Sequence, residues 1–99
     1  SVGDAYAKKN SDDNTNLVLE RVEFSPTRHS CVAAISRETR GKRDTIWSYE
    51  TVDIITGEAL FSGKCNGNDA KAATFCGNGR DMELRETRDR ALETALSQK

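Results

Sequence analysis

Apolar residues alternate with polar ones in four stretches of the chain and recur at helical spacing in a fifth. LVLERVEF (17–24) reads as a strand with Val18, Val22 and Phe24 on one alternating face, since β-branched and aromatic side chains suit a pleated, half-buried surface. Ser25-Pro26 ends it, because proline has no N–H to give to a ladder. HSCVAAISRET (29–39) reads as a second strand, with Cys31, Ala33 and Ile35 on one side and Val32 and Ala34 on the other. TIWSYETVDII (45–55) is the third and EALFSGKC (58–65) the fourth, joined by a Thr56-Gly57 turn. Strands this close in sequence pair as an antiparallel meander, because parallel neighbours need crossovers of about a dozen residues or more.

The pattern then changes. Asn66, Gly67, Asn68 and Asp69 are turn formers, and Asn68 or Asp69 is placed to cap a short helical turn over AKAATF (70–75). Gly77-Asn78-Gly79 closes that turn, and Asp81 is read as the cap of a final helix, MELRETRDRALETALSQK (82–99). Leu84, Ala91, Leu92, Ala95 and Leu96 make a narrow apolar stripe, broken at Arg88. Residues 1–16 show neither period and read as a flexible, disordered polar N-terminal arm with Tyr6 as its one aromatic. The expected fold is therefore α+β. Residues 17–99 form a single domain, an antiparallel sheet of about four strands with a short helical turn and a C-terminal helix packed on one face.

Composition narrows the function classes. Ninety-nine residues with 35% hydrophobic and 31% charged side chains, at a mean hydropathy of -0.71, can build only a modest core. A cross-link would matter at that size. The net charge of -1 argues against a dedicated duplex-DNA binder. The apolar runs are a few residues long, too short for a membrane span. Ser1 in place of an initiating methionine fits a chain matured by signal removal, and equally an excised domain.

The three cysteines admit several chemistries. His29 and Cys31 are two apart on one strand, a weak geometry for a nucleophile and its base, with no third group to orient them. His29, Cys31, Cys65 and Cys76 could supply four zinc ligands, but no closely spaced cysteine pair presents two thiolates together. A Cys65–Cys76 disulfide is the favoured reading, closing the glycine-rich segment and leaving Cys31 as a small buried hydrophobe. A pairing that involves Cys31 is its rival. No metal and no cofactor is expected. Disulfide use in a small chain points to a secreted or periplasmic home.

A second constellation lies between the second and third strands. Arg37, Arg40, Lys42 and Arg43 cluster at a glycine-containing turn, and Trp47 and Tyr49 follow, two apart and so on one strand face. Cations beside aromatics suit a protein interface, and they also suit single-stranded nucleic acid, which needs charge for its backbone and rings for its bases. The plainer use of Trp47 is core. The chain contains no phosphate-binding loop, nucleotide fingerprint, nucleophile elbow or metalloprotease motif, so no enzymatic role is expected. The expectation is a small non-enzymatic interaction protein (an effector, toxin-like protein, inhibitor or envelope-complex component) whose partner is another protein. The alternative is a small single-stranded nucleic-acid-binding module that uses the same basic turn and aromatic pair.

Overall fold

The alternating stretches form β1 (Thr15–Ser25), β2 (Ser30–Arg40), β3 (Thr45–Asp53) and β4 (Ala59–Asn66), with helices α1 (Val2–Lys9) and α2 (Arg80–Ser97) before and after them. The strands pair antiparallel in the order β1-β2-β3-β4, the meander that the short connections imply. This computed structural model describes residues 2–77 and 79–97; Ser1, Asn78, Gln98 and Lys99 lie outside the described residues, and with them the centre of the Gly77-Asn78-Gly79 turn and the tip of the expected final helix.

The continuous apolar run Val32-Ala33-Ala34-Ile35 belongs to a central strand, and all of it is inaccessible to solvent. Alternation sends Val32 and Ala34 to one face, where they meet Leu92 and Ala95 of α2, with Leu60 and Leu96 at the margin. It sends Ala33 and Ile35 to the other, where they join Leu17, Val52 and Ile54. The core is thus two thin layers on either side of one sheet. Helix α2 crosses all four strands. Two sheet hydroxyls reach its backbone: Ser25 Oγ donates to the Ala95 carbonyl at 2.8 Å and Thr51 Oγ1 to the Arg88 carbonyl at 2.6 Å.

Two expectations are corrected. First, the N-terminal arm contains α1. Tyr6 and Ala7 pack on the Leu17–Ile54 cluster, and Asn10 closes the helix by donating its backbone N–H and side-chain amide to the Tyr6 carbonyl at 3.1 and 2.9 Å. A helix this short has little intrinsic stability and depends on such docking. Second, β1 contains a β-bulge: the register slips between Leu19 and Arg21, so Glu20 is an extra residue. Glu20 and Arg21 both address α2, meeting Arg88 and Glu93 there at 2.8 Å each. Val18 consequently lies on the opposite face from Val22 and Phe24. The short helical turn expected after Asp69 takes the form of two successive turns closed by i to i+3 bonds, at Ala72 to Asp69 and Phe75 to Ala72, both 3.1 Å.

Arg88, which breaks the apolar stripe, is buried with it. Its guanidinium donates to the Ile35 carbonyl at 3.2 Å, to Ser36 Oγ and Asp89 at 2.9 Å, and to Glu20 at 2.8 Å. Ser36 in turn donates to Glu20. The bulge therefore supplies the carboxylate that lets an arginine occupy a core position, since a buried cation requires a paired and hydrogen-bonded anion.

Candidate functional site

The β2–β3 turn and the segment after β4 share one end of the sheet. Gly67 N–H donates to the Thr45 carbonyl at 2.8 Å, and the Asn68 side-chain amide reaches Thr45 Oγ1 at 3.3 Å and the Arg43 carbonyl at 3.4 Å. Asn66 organises the segment: its Oδ1 accepts the N–H groups of Asn68 and Asp69 at 2.9 Å, and its carbonyl accepts that of Cys76 at 2.8 Å. Asp69 accepts the Lys71 N–H at 3.0 Å, which gives it a capping role over a turn. The segment is stapled by the expected disulfide, Cys65–Cys76, with Cα atoms 4.9 Å apart. Cys31 is free, half-buried, and packs against the Leu17–Ile54 cluster.

Trp47 and Tyr49 project from the same face of β3, towards α2, but their surroundings differ. Tyr49 is 1% exposed, and its hydroxyl donates to Asp81 in the first turn of α2. Arg85 and Arg88 lie over its ring at 5.0 and 5.7 Å from the centroid. Burial pushes the phenol pKa up, and the hydrogen bond to Asp81 pushes it further. Tyr49 is a core residue. Asp81, read from the sequence as the helix cap, sits inside the first turn and spends its carboxylate on this phenol. Trp47 lies one pair nearer the turn, beyond the start of α2, and remains half-exposed. Gly67 backs its indole: a Cβ there would come within 3.0 Å of Nε1. Trp47, Tyr49, Gly67, Cys76, Asp81 and Arg85 line a shallow groove of about 360 Å³.

The cations divide as well. Arg40, Lys42 and Arg43 are exposed at the turn. Arg40 pairs with Glu38 at 2.9 Å, whereas Lys42 and Arg43 have no ion pair among the described residues. Arg37 points to the face away from α2 and lies 3.5 Å from Glu50. Arg40, Lys42 and Arg43 thus lie at the turn end of the sheet, Trp47 lines the groove next to that end together with the buried Tyr49, and Arg37 faces the opposite side. Gly67, Asp81 and Arg85 also line the groove; the sequence marks Gly67 as a turn former and Asp81 as a helix cap, with no sign of a shared surface, and the i, i+4 spacing of Asp81 and Arg85 is the one local signal for Arg85.

The far end of the sheet is organised by Asp53, which is 1% exposed. Its Oδ1 accepts Ser30 Oγ at 2.6 Å and the N–H groups of Ile55 and Thr56 at 3.0 Å, and its Oδ2 accepts Arg28 Nε at 3.2 Å. Burial alone would raise its pKa, but these donors outweigh it and hold the carboxyl at about 2. With three donors on Oδ1 and Arg28 on Oδ2, the carboxylate organises the turn after β3. His29, left-handed at φ 51°, and Cys31 also lie at this end. Cys31 is seven strand positions from Glu38, the β2 residue in register with Trp47 and, through it, Cys65. That spacing is roughly 23 Å, so His29, Cys31, Cys65 and Cys76 do not converge on one ion. Cys65, Cys76 and Asp81 do bring ligand atoms within 4.8 Å of one another, but both sulfurs are consumed by the disulfide.

No protein family, curated protein or solved structure matches this chain. Function has to be argued from the surface itself. No helix among the described residues is long and apolar enough to cross a membrane.

Proposed function

We propose that this chain is a small, non-catalytic, secreted or periplasmic binding domain that engages an acidic surface of another protein through Arg40, Lys42, Arg43 and the exposed edge of Trp47. The reading covers an effector, a toxin-like protein, an inhibitor or an envelope-complex component, each acting by binding another protein. The observation that carries the reading is the pairing pattern of the cations. Arg21, Arg28, Arg85 and Arg88 each lie against a carboxylate of this chain, whereas Lys42 and Arg43, like Lys64, Lys71, Arg80 and Arg90, have no ion pair among the described residues, and these two sit exposed at the stapled end of the sheet that also carries the half-exposed Trp47. Unpaired cations steer an acidic partner, and an indole with its Cβ-free backing presents a rigid anchor. The disulfide in so small a domain supports the extracytoplasmic setting. Nucleic-acid stacking gains less support, because only one of the two rings is accessible.

Trp47 is the chain's single tryptophan, so its fluorescence reports on the surface directly. Titration with an oligoglutamate peptide is expected to shift its emission saturably, and replacing Arg40, Lys42 and Arg43 together by serine is expected to remove the response. Those turn charges are exposed, so the triple variant should keep its stability within about 0.5 kcal/mol. A response that survives the triple substitution refutes the proposal. So does tighter binding of a single-stranded oligonucleotide with a steep loss on added salt.

A further inference from the structure

The sheet face away from α2 is covered by α1 near Ile54, and uncovered towards the β2–β3 turn. There a hollow of about 330 Å³ opens over β2, β3 and β4. Its layout follows from the register. Arg37 stands directly opposite Ser48, and Ser48 directly opposite Lys64, so a hydroxyl is flanked on both sides by a cation in one cross-strand row. Residues opposed in this way have Cβ atoms about 5 Å apart. The next row along carries Glu50 opposite Ser62, and Ile46 forms an apolar wall on the other side.

The polar groups of this hollow are largely unspent. Arg37 Nε is buried without a hydrogen-bond partner; Glu50 Oε1 is near it at 3.5 Å but does not accept from it. A buried donor left in this way costs about 1–3 kcal/mol, and native structures rarely tolerate one without a ligand or water to receive it. The hydroxyls of Ser48 and Ser62 and the ammonium of Lys64 also have no side-chain partner among the described residues.

We propose that this hollow binds a small hydroxylated carboxylate, an acidic monosaccharide or hydroxy acid. Its carboxylate lies over Ser48 between Arg37 and Lys64, and its neighbouring hydroxyls donate to Glu50 and exchange with Ser62. Two cations and one carboxylate leave one positive charge, which a monoanion neutralises. Glu50 repels a phosphate dianion and rewards a ligand that carries donors beside its negative group. Ile46 supplies an apolar surface for ring carbons. The site is separate from the surface around Trp47, because Arg37 and Ser48 face away from α2, and the two can fail independently.

The test is an amide-resolved NMR titration of the oxidised, full chain with D-glucuronate, D-glucose and inorganic phosphate as probes. Glucuronate is expected to give saturable shifts at Arg37, Ser48, Glu50, Ser62 and Lys64, glucose none, and phosphate a weaker response at the same amides. Arg37→Gln and Lys64→Gln should each weaken glucuronate by about tenfold. Lys64 is exposed, so its variant keeps the test valid where loss of Arg37 perturbs folding. Saturable shifts that map elsewhere, binding unchanged in Lys64→Gln, or phosphate binding as tight as glucuronate would each overturn the proposal. A spectrum in which none of the three probes moves these amides overturns it as well.

Discussion

Arg88→Met tests how α2 is held to the sheet. Methionine matches the length of the arginine stem and fills most of its volume, so the change removes charge and donors while leaving little void. The arginine side chain is 3% exposed and serves Glu20, Ser36, Asp89 and the Ile35 carbonyl together. Breaking a fully buried pair costs about 3–5 kcal/mol. Glu20 keeps 30% of its surface and has Arg85 3.8 Å away, so water and a second cation recover part of that. The expected loss is about 2–3 kcal/mol, a large share of a small domain's stability. Glu20→Gln should cost less, and the double variant should fall short of the sum by about 1–2 kcal/mol, because both changes break one interaction. Urea unfolding followed by far-UV circular dichroism and by Trp47 emission measures all four corners of the cycle. Acidity adds a second check. Hydrogen bonding from Arg88, opposed by burial, lowers the Glu20 pKa. A lowered carboxyl contributes stability above its ordinary range and loses it as pH falls through the folded value. The gap between parent and Arg88→Met should therefore close in acid. An additive cycle, or a cost below about 0.5 kcal/mol, would refute the reasoning.

Two further outcomes concern the ends of the sheet. Cys65 and Cys76 are 11 residues apart, and loop-closure entropy predicts that Cys65→Ser with Cys76→Ser costs about 3 kcal/mol; alkylation of the non-reduced parent should label Cys31 alone, and labelling of Cys65 or Cys76 contradicts the staple. Asp53 has a folded pKa of about 2 against 3.8 in an open chain, worth about 2 kcal/mol near neutrality. That contribution is complete above the open-chain value and lost as pH falls through the folded one, so Asp53→Asn should destabilise at neutral pH and match its parent near the acid limit. A pH-independent difference would contradict the geometry.

Much of this fold is legible because local and global preferences agree. Val32 to Ile35 reads as a central strand and is one, and Cys65 and Cys76 border a segment whose turn residues allow them to meet. The features that sequence conceals depend on distant partners. No residue type announces the bulge at Glu20; it makes sense only beside Arg88, 68 positions away. Arg88 reads as a break in the stripe because periodicity counts hydropathy and cannot see a paired cation. Helix α1 is too short to establish a period, and Tyr6 gains its role by docking. Trp47 and Tyr49 sit on a strand with apolar residues on both faces, so alternation cannot rank them. The start of α2 at Arg80 decides it, covering Tyr49 and stopping short of Trp47.

The bulge in β1 also bears on self-association. At the opposite margin, β4 is partly screened by its parallel bridge between Asn66 and Phe75, whereas β1 is a long outer strand that keeps Val18, Val22 and Phe24 between 42% and 59% exposed. A long outer strand with exposed apolar side chains, were it flat, would be a template for pairing with a second copy. Glu20 interrupts it in two ways: the inserted residue twists the edge out of register with any straight strand, and the Glu20-Arg21-Glu23 group places charge at its centre. Deleting Glu20 would restore an even ladder and leave Arg88 without its anion. The same lesion would then loosen the helix and straighten the edge together.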